Sequence, residues 1–122
     1  MPTVLCIDDN PTNRRLVERI VWLRAHLALL EAPNGKDGLE LARRQRPDLI
    51  LLDLNLPDLQ GDQVLAALKA ASDTRPIPVI IVTAESEREG FQRLYVMGAL
   101  ECLVKPLNVA RLLELLDELV PA

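Results

Sequence analysis

The sequence predicts an α/β protein, a (βα)5 fold in which a doubly wound, five-stranded parallel sheet carries helices on both faces. Three observations predict it. Strand-type and helix-type patterns alternate along the whole of the 122 residues. The strand candidates are continuous apolar runs rather than alternating ones, as expected of strands buried on both faces. Four of those runs also stop abruptly at a polar residue able to do chemistry. Val4-Leu5-Cys6-Ile7 stops at Asp8-Asp9, and Leu49-Ile50-Leu51-Leu52 at Asp53. Val79-Ile80-Ile81-Val82 stops at Thr83, and Leu103-Val104 at Lys105-Pro106. Parallel strands would put all four stops on one edge of the sheet, the edge at which open α/β sheets bind ligands.

Each element has a local cause. Residues 3–7 read as a buried strand. Asn10 can cap a helix that has Pro11 at its first position, and Leu16, Val17, Ile20 and Val21 form its helical stripe. Trp22 closes that stripe and is expected in the core or at its edge. Residues 27–32 are a second apolar run, with His26 at its start. Asn34-Gly35 turns the chain into a helix containing Leu39, Leu41 and Ala42, which Pro47 stops. Residues 49–53 form the third strand. Pro57 and Gly61 bracket a loop, and a helix follows over about 62–71. The Pro-rich stretch 73–78 is a loop, and 79–83 is the fourth strand. Residues 87–97 read as one helix that Gly98 can end. Residues 101–104 form a short fifth strand. Asn108 caps a last helix with Val109, Leu112, Leu113, Leu116 and Leu119 on one face.

Bulk properties narrow the function classes. The length suits one domain, 1–122, large enough to bury a core without staples. Apolar residues make up 49% and aromatics 2%, so the core must be mostly aliphatic. Formal charge is −4, from 14 basic and 18 acidic residues. The one basic cluster, Arg43-Arg44 with Arg46, falls late in a predicted helix where cations suit the dipole, so nucleic acid is not an expected direct partner. No apolar stretch approaches the ~20 residues of a membrane span, and the start, acidic within ten residues, does not resemble a signal peptide. Cys6 and Cys102 both fall in predicted buried strands, which suits a reducing cytoplasm.

The polar edge carries the functional reading. Asp8, Asp9 and Asp53 would repel one another unless a cation or protons intervene. Magnesium answers that need, being a hard cation that takes oxygen ligands and shares oxygens with phosphate. Thr83 and Lys105 add what a phosphoryl group requires, a hydroxyl and an ammonium for its remaining oxygens.

In order and spacing these residues closely resemble the receiver domain of two-component response regulators. The matching motifs are I-D-D-N at 7–10, D-L-N-L-P-D-L-Q-G at 53–61, V-T-A at 82–84, G-A at 98–99 and K-P at 105–106. The resemblance covers essentially the whole chain. It implies the strand order 2-1-3-4-5. It implies that Asp53 accepts a phosphoryl group from a sensor histidine kinase or phosphotransfer protein, as a carboxylate nucleophile. Asp9 would bind Mg²⁺ directly, Asp8 through water, and Asn55 through its backbone carbonyl. Thr83 would be the switch hydroxyl, and Lys105, beside an often cis peptide to Pro106, would hold a phosphoryl oxygen. Glu85 lies where it could influence the water that removes the phosphoryl group. The domain would thus be a phospho-acceptor rather than an enzyme on external substrates. An effector or output domain would read its state on the face of the fourth helix, fifth strand and fifth helix, with a homodimer as one form of that contact. The D-N-P-T-N-R start and K-P-L-N-V ending are similar to receivers at the ends of hybrid kinases, so a free-standing regulator and a piece of such a kinase both remain open.

One position departs from the family. The switch aromatic three residues before the lysine is here Cys102. It is expected to be a buried small hydrophobe, with signalling passed instead through the 83–90 segment and the following helix. A bridge to Cys6 is excluded by the implied order, which puts three strand spacings, about 14 Å, where a disulfide needs Cα atoms within roughly 7 Å. Phe91 and Tyr95, four apart on the fourth helix, are expected to face outward as part of a partner or dimer surface. His26 sits away from the acidic edge and is neither ligand nor phosphodonor. Three rival readings fit the residues less well. A phosphorylation-independent pseudo-receiver is disfavoured by the intact acidic, Thr and Lys positions. A haloacid-dehalogenase-type phosphatase would carry D-x-D where this chain has D-D-N. A flavodoxin-like carrier would not have an acidic loop after strand 1.

Overall fold

The computed structural model describes residues 1–122, and its five strands form one parallel sheet. The elements are β1 (Thr3–Ile7), α1 (Pro11–Trp22), β2 (Ala28–Ala32), α2 (Gly35–Gln45), β3 (Leu49–Leu52), α3 (Gly61–Ala70), β4 (Val79–Thr83), a 3₁₀ segment (Glu85–Gly90), α4 (Phe91–Met97), β5 (Glu101–Val104) and α5 (Val109–Leu119). The strand order is β2-β1-β3-β4-β5, as the resemblance implies.

The continuous apolar runs are explained by what lies on each face. Successive strand side chains point to opposite sides, and each side has its own apolar cluster. Leu5, Ile7, Ile50, Leu52 and Ile81 face Leu65 and Leu68 of α3 and Leu94 of α4. Val4, Cys6, Leu49, Leu51 and Ile80 face Val17 and Ile20 of α1 and Leu112 and Leu116 of α5. Cys6 and Cys102 therefore lie in different clusters, on opposite faces of the sheet. Both are free thiols.

Asn10 and Asn108 cap their helices as expected, and Asn34, read only as part of a turn, caps α2. Asn10 accepts from the Thr12 N–H at 2.9 Å, Asn34 from Asp37 at 2.8 Å and Asn108 from Arg111 at 2.9 Å. α2 ends at Arg46, whose φ of 45° is left-handed, directly before Pro47. Gly98 ends α4 at φ 115°, a conformation that favours glycine. The Lys105–Pro106 peptide is cis.

Several expectations are corrected. The single helix over 87–97 is two elements, because none of the six residues Glu85–Gly90 is buried and nothing apolar anchors an α-helical stripe there. The tighter winding aligns residues three apart, and Glu85 and Arg88 pair in that register at 2.7 Å. Trp22 is 72% exposed rather than packed, since the α1 stripe of Val17, Ile20 and Val21 turns the next residue away from the sheet. On α5 the buried set is Leu112, Leu115 and Leu116, while Val109, in the first turn, is exposed and Leu113 and Leu119 are half-buried. Phe91 does not face outward. It is 9% exposed and joins Leu94, three residues on, in the core, whereas Tyr95, 40% exposed, lies just past that stripe. His26 lies in the turn before β2, where its Nε2 is 2.9 Å from the Val120 carbonyl oxygen.

Candidate functional site

Parallel registration brings the run ends together. Ile7 is paired with Leu52, Leu52 with Ile81, and Thr83 with Val104. The ladder extends one residue further at each place: Asp8 N–H donates to Ala32 O at 3.1 Å, Asp53 N–H to Ile7 O at 3.0 Å, and Lys105 N–H to Thr83 O at 2.8 Å. The backbone that ends the strands thus fixes where the functional side chains begin.

Asp8 and Asp53 are each 5% exposed. Lys105 Nζ donates to Asp8 Oδ2 at 2.9 Å and to Asp53 Oδ2 at 2.8 Å. The other oxygens accept backbone donors, Asp8 Oδ1 from Asn10 N–H at 2.9 Å and Asp53 Oδ1 from Asn55 N–H at 3.3 Å. Burial by itself would push the Lys105 ammonium toward losing its proton. The two carboxylate bonds outweigh burial and hold its pKa above the usual lysine value.

Asp9 is exposed, and one carboxylate oxygen from each of Asp8, Asp9 and Asp53 lies within 4.8 Å of the others. Three carboxylates against one ammonium leave this corner acidic. The set fits a hard divalent cation. Oxygens bound to magnesium at about 2.1 Å span up to about 4.2 Å across the ion, close to the spacing already present. Thr83 is fully buried, and its Oγ1 has no hydrogen-bond partner. Such an orphan costs roughly 1–3 kcal/mol, so the strand end holds a hydroxyl with an unused donor.

The structure unites Asp8, Asp53 and Lys105 by direct contact and sets Asp9 beside them. Asn55 is joined to Asp53 through its N–H. Glu85 stands on the 3₁₀ segment, exposed, with both carboxylate oxygens on Arg88, an interaction that lowers its pKa. Cys102 is away from this corner and buried. Burial pushes its thiol up to about 11, and pushes Cys6 up to about 12. Neither is a reactive thiolate at neutral pH.

Three features escaped the sequence. Gly61, read as a loop bracket and as the end of the 53–61 motif, lies so close to the Asp53 carbonyl and the Leu54 Cα that a side chain there would displace the backbone after Asp53. The Tyr95 hydroxyl accepts the Cys102 N–H at 3.1 Å and donates to Glu101 Oε1 at 3.1 Å. Arg14 Nη1 donates to the Asp8 carbonyl at 2.7 Å. Contacts of this kind join elements by packing and leave no spacing signature.

Comparison with known proteins adds a family. Residues 4–117 match the sequence profile of the response regulator receiver domain. The chain is 34% identical over 117 residues to protein PilH of Pseudomonas aeruginosa, covering 96% of each chain. It is 35% identical over 112 residues to the polar-differentiation response regulator DivK of Brucella anthropi, covering 92% of this chain and 90% of that one. The chemotaxis protein CheY4 of Vibrio cholerae superposes with a TM-score of 0.86 at 30% identity, over 98% of this chain and 99% of that one. The receiver domain of a sensor histidine kinase of P. aeruginosa, solved with a magnesium ion coordinated in its active-site cleft, superposes with a TM-score of 0.87 at 26% identity, over 99% of this chain and 98% of that one.

Proposed function

The chain belongs to the response regulator receiver family, a signalling domain of two-component systems rather than a catalytic enzyme, and on that footing we propose that Asp53 is its phospho-acceptor in a magnesium-dependent transfer. The observation that carries the reading is the buried pair Asp8 and Asp53 joined by one ammonium, Lys105. The side chains of Asp8, Asp9 and Asp53 and the carbonyl of Asn55 would hold the metal. When bound, the ion neutralises charge on the carboxylates and on phosphoryl oxygens. The magnesium in the cleft of the P. aeruginosa relative supports this assignment.

The chain's own groups supply the rest. An Asp53 carboxylate oxygen attacks the phosphorus of a partner's phosphohistidine; the P–O bond forms as the P–N bond breaks, and the imidazole leaves with its electron pair. Lys105 moves from the carboxylates to a phosphoryl oxygen, a charge-assisted bond that lowers the barrier. The unsatisfied Thr83 hydroxyl gains an acceptor when the phosphoryl group arrives. Water later attacks phosphorus and frees Asp53, with Glu85 beside its path.

Output lies on the α4–β5–α5 face, open to an effector, an output domain or a second copy. Tyr95 rather than Cys102 is the aromatic on that face, and its hydroxyl ties α4 to the β5 backbone. The whole of 1–122 acts as one receiver unit. No helix is long and apolar enough to cross a membrane, and two free buried thiols suit a cytoplasmic setting.

Acetyl phosphate with Mg²⁺ tests the reading by intact mass. One phosphoryl group should appear on the wild type, and none on Asp53→Asn or in the presence of a chelator. An unlabelled wild type, or a labelled Asp53→Asn, overturns it, the former in favour of a phosphorylation-independent interaction module.

A further inference from the structure

Asp8 is engaged at every polar atom: its N–H by Ala32 O, Oδ1 by the Asn10 N–H, Oδ2 by Lys105, and its carbonyl oxygen by Arg14. The Arg14 contact, at 2.7 Å, is the shortest of the four. Of the two side chains that contact Asp8, Lys105 and Arg14, Arg14 is the one with no role in the proposed phosphoryl chemistry. Asp9 is the opposite case. It is exposed, and no hydrogen bond or ion pair holds its carboxylate. It nevertheless lies within the three-carboxylate cluster.

The Asp8 carbonyl links these facts. The peptide unit that contains it also contains the Asp9 N–H, and the unit is planar. Gripping the Asp8 oxygen therefore sets the plane from which the Asp9 Cα and its side chain depart. Arg14 is well placed to grip. It lies one turn into α1, with its N–H on the Asn10 carbonyl at 3.1 Å. It is half-buried, and its Nε is 3.6 Å from Glu31 Oε1 on β2. The fixed fork of a guanidinium can serve both partners at once.

We infer that Arg14 is a positioning residue for the metal, orienting the Asp8–Asp9 peptide so that the otherwise unheld Asp9 carboxylate meets the ion. The inference rests on the magnesium-binding reading above. Outer partners of metal ligands act in this way, and their loss typically costs about 10–100-fold in affinity.

Charge makes the test sharp. A cation that merely stands near a metal site repels the metal, so removing it leaves affinity unchanged or raises it. A positioning cation does the reverse. Titration of Mg²⁺ into wild type and Arg14→Met, followed by NMR or calorimetry below the melting temperature of both, should show the variant's Kd raised by about tenfold or more. Its Mg²⁺-induced rise in melting temperature should shrink accordingly. Glu31→Gln, which keeps the carbonyl contact and loosens only its anchor, should raise Kd by less. If Arg14→Met does not fold, Arg14→Gln takes its place with the same expectation. Equal or tighter Mg²⁺ binding by the folded Arg14 variant overturns the inference. A wild type that fails to bind Mg²⁺ overturns instead the functional reading on which it rests.

Discussion

The carboxyl edge of the sheet and the α4–β5 flank both tie separate elements together with polar side chains, but with very different strength. At the edge the tie is buried and charged: one ammonium joins the ends of β1 and β3, and each carboxylate's second oxygen takes a backbone N–H. At the flank it is a phenol at the surface, reaching one N–H of β5 and the half-buried pair Glu101–Arg111. Between them runs the 3₁₀ segment, which buries nothing and where a Cβ on Gly90 would meet no atom within 4 Å. Charges held in low dielectric resist displacement, while segments with few buried contacts open at little cost. The geometry thus pairs a buried, charge-held chemical corner with a Glu85–Gly90 segment that little packing holds.

The largest predicted effect breaks the charge-held side. Lys105→Met leaves two buried carboxylates without their cation, a loss of about 3–5 kcal/mol in denaturant unfolding at neutral pH without Mg²⁺, and added Mg²⁺ should recover part of it. The sign with pH follows from the lysine. Its pKa is raised on folding, so its stabilisation is complete below the usual value of 10.5 and is lost as pH climbs through the raised value. The gap between wild type and variant should therefore narrow as the solution becomes alkaline enough to deprotonate Lys105. A constant gap there, or none at pH 7, would mean that the carboxylates are held by their backbone donors alone.

The same contrast explains how much was legible in the sequence. Asp8, Asp53, Thr83 and Lys105 could be read because each ends an apolar run, and parallel pairing turns run ends into neighbours. The pattern alone did not give the strand order, which came with the family resemblance. Phe91 and Tyr95 show the limit on the flank. A spacing of four puts them on one side of a helix, yet the buried stripe of Phe91 and Leu94 is narrow enough to leave Tyr95 outside it. Trp22 fails for the same reason, one residue beyond Val21. The link from Tyr95 to Cys102 depends on the left-handed turn at Gly98, and the link from Arg14 to Asp8 on how α1 lies over β1. Both are set by tertiary packing.

A smaller effect is expected on the flank. Tyr95→Phe keeps the ring and removes the hydroxyl, freeing the Cys102 N–H and Glu101 Oε1. The N–H belongs to a buried residue and the carboxylate to a half-buried one, so the loss should be about 1–2 kcal/mol, read as a shift in the denaturation midpoint at unchanged slope. A loss as large as that of Lys105→Met would erase the contrast between the two regions. No loss would mean that Phe91 and Leu94 alone hold α4 to the sheet.

Arg111→Ala should have the least effect and sharpens the comparison most. Arg111 Nη2 meets Glu101 Oε2 at 3.0 Å in a half-buried contact, and Nη1 meets Glu114 at 3.3 Å toward solvent. Partly exposed pairs of this kind contribute about 0.2–1 kcal/mol at most. What Arg111 can add is orientation, turning Glu101 so that its other oxygen faces the Tyr95 hydroxyl. A double-mutant cycle with Tyr95→Phe should then give a coupling of about 0.5 kcal/mol. Salt separates the two links. At 1 M ionic strength the screening length falls to about 3 Å, so the Arg111→Ala effect and the coupling should vanish. The part of the Tyr95→Phe loss that comes from the neutral bond to the Cys102 N–H should persist. If salt removes both equally, the phenol is held through the charges around it, and the α4–β5 tie is electrostatic like the one at the carboxyl edge.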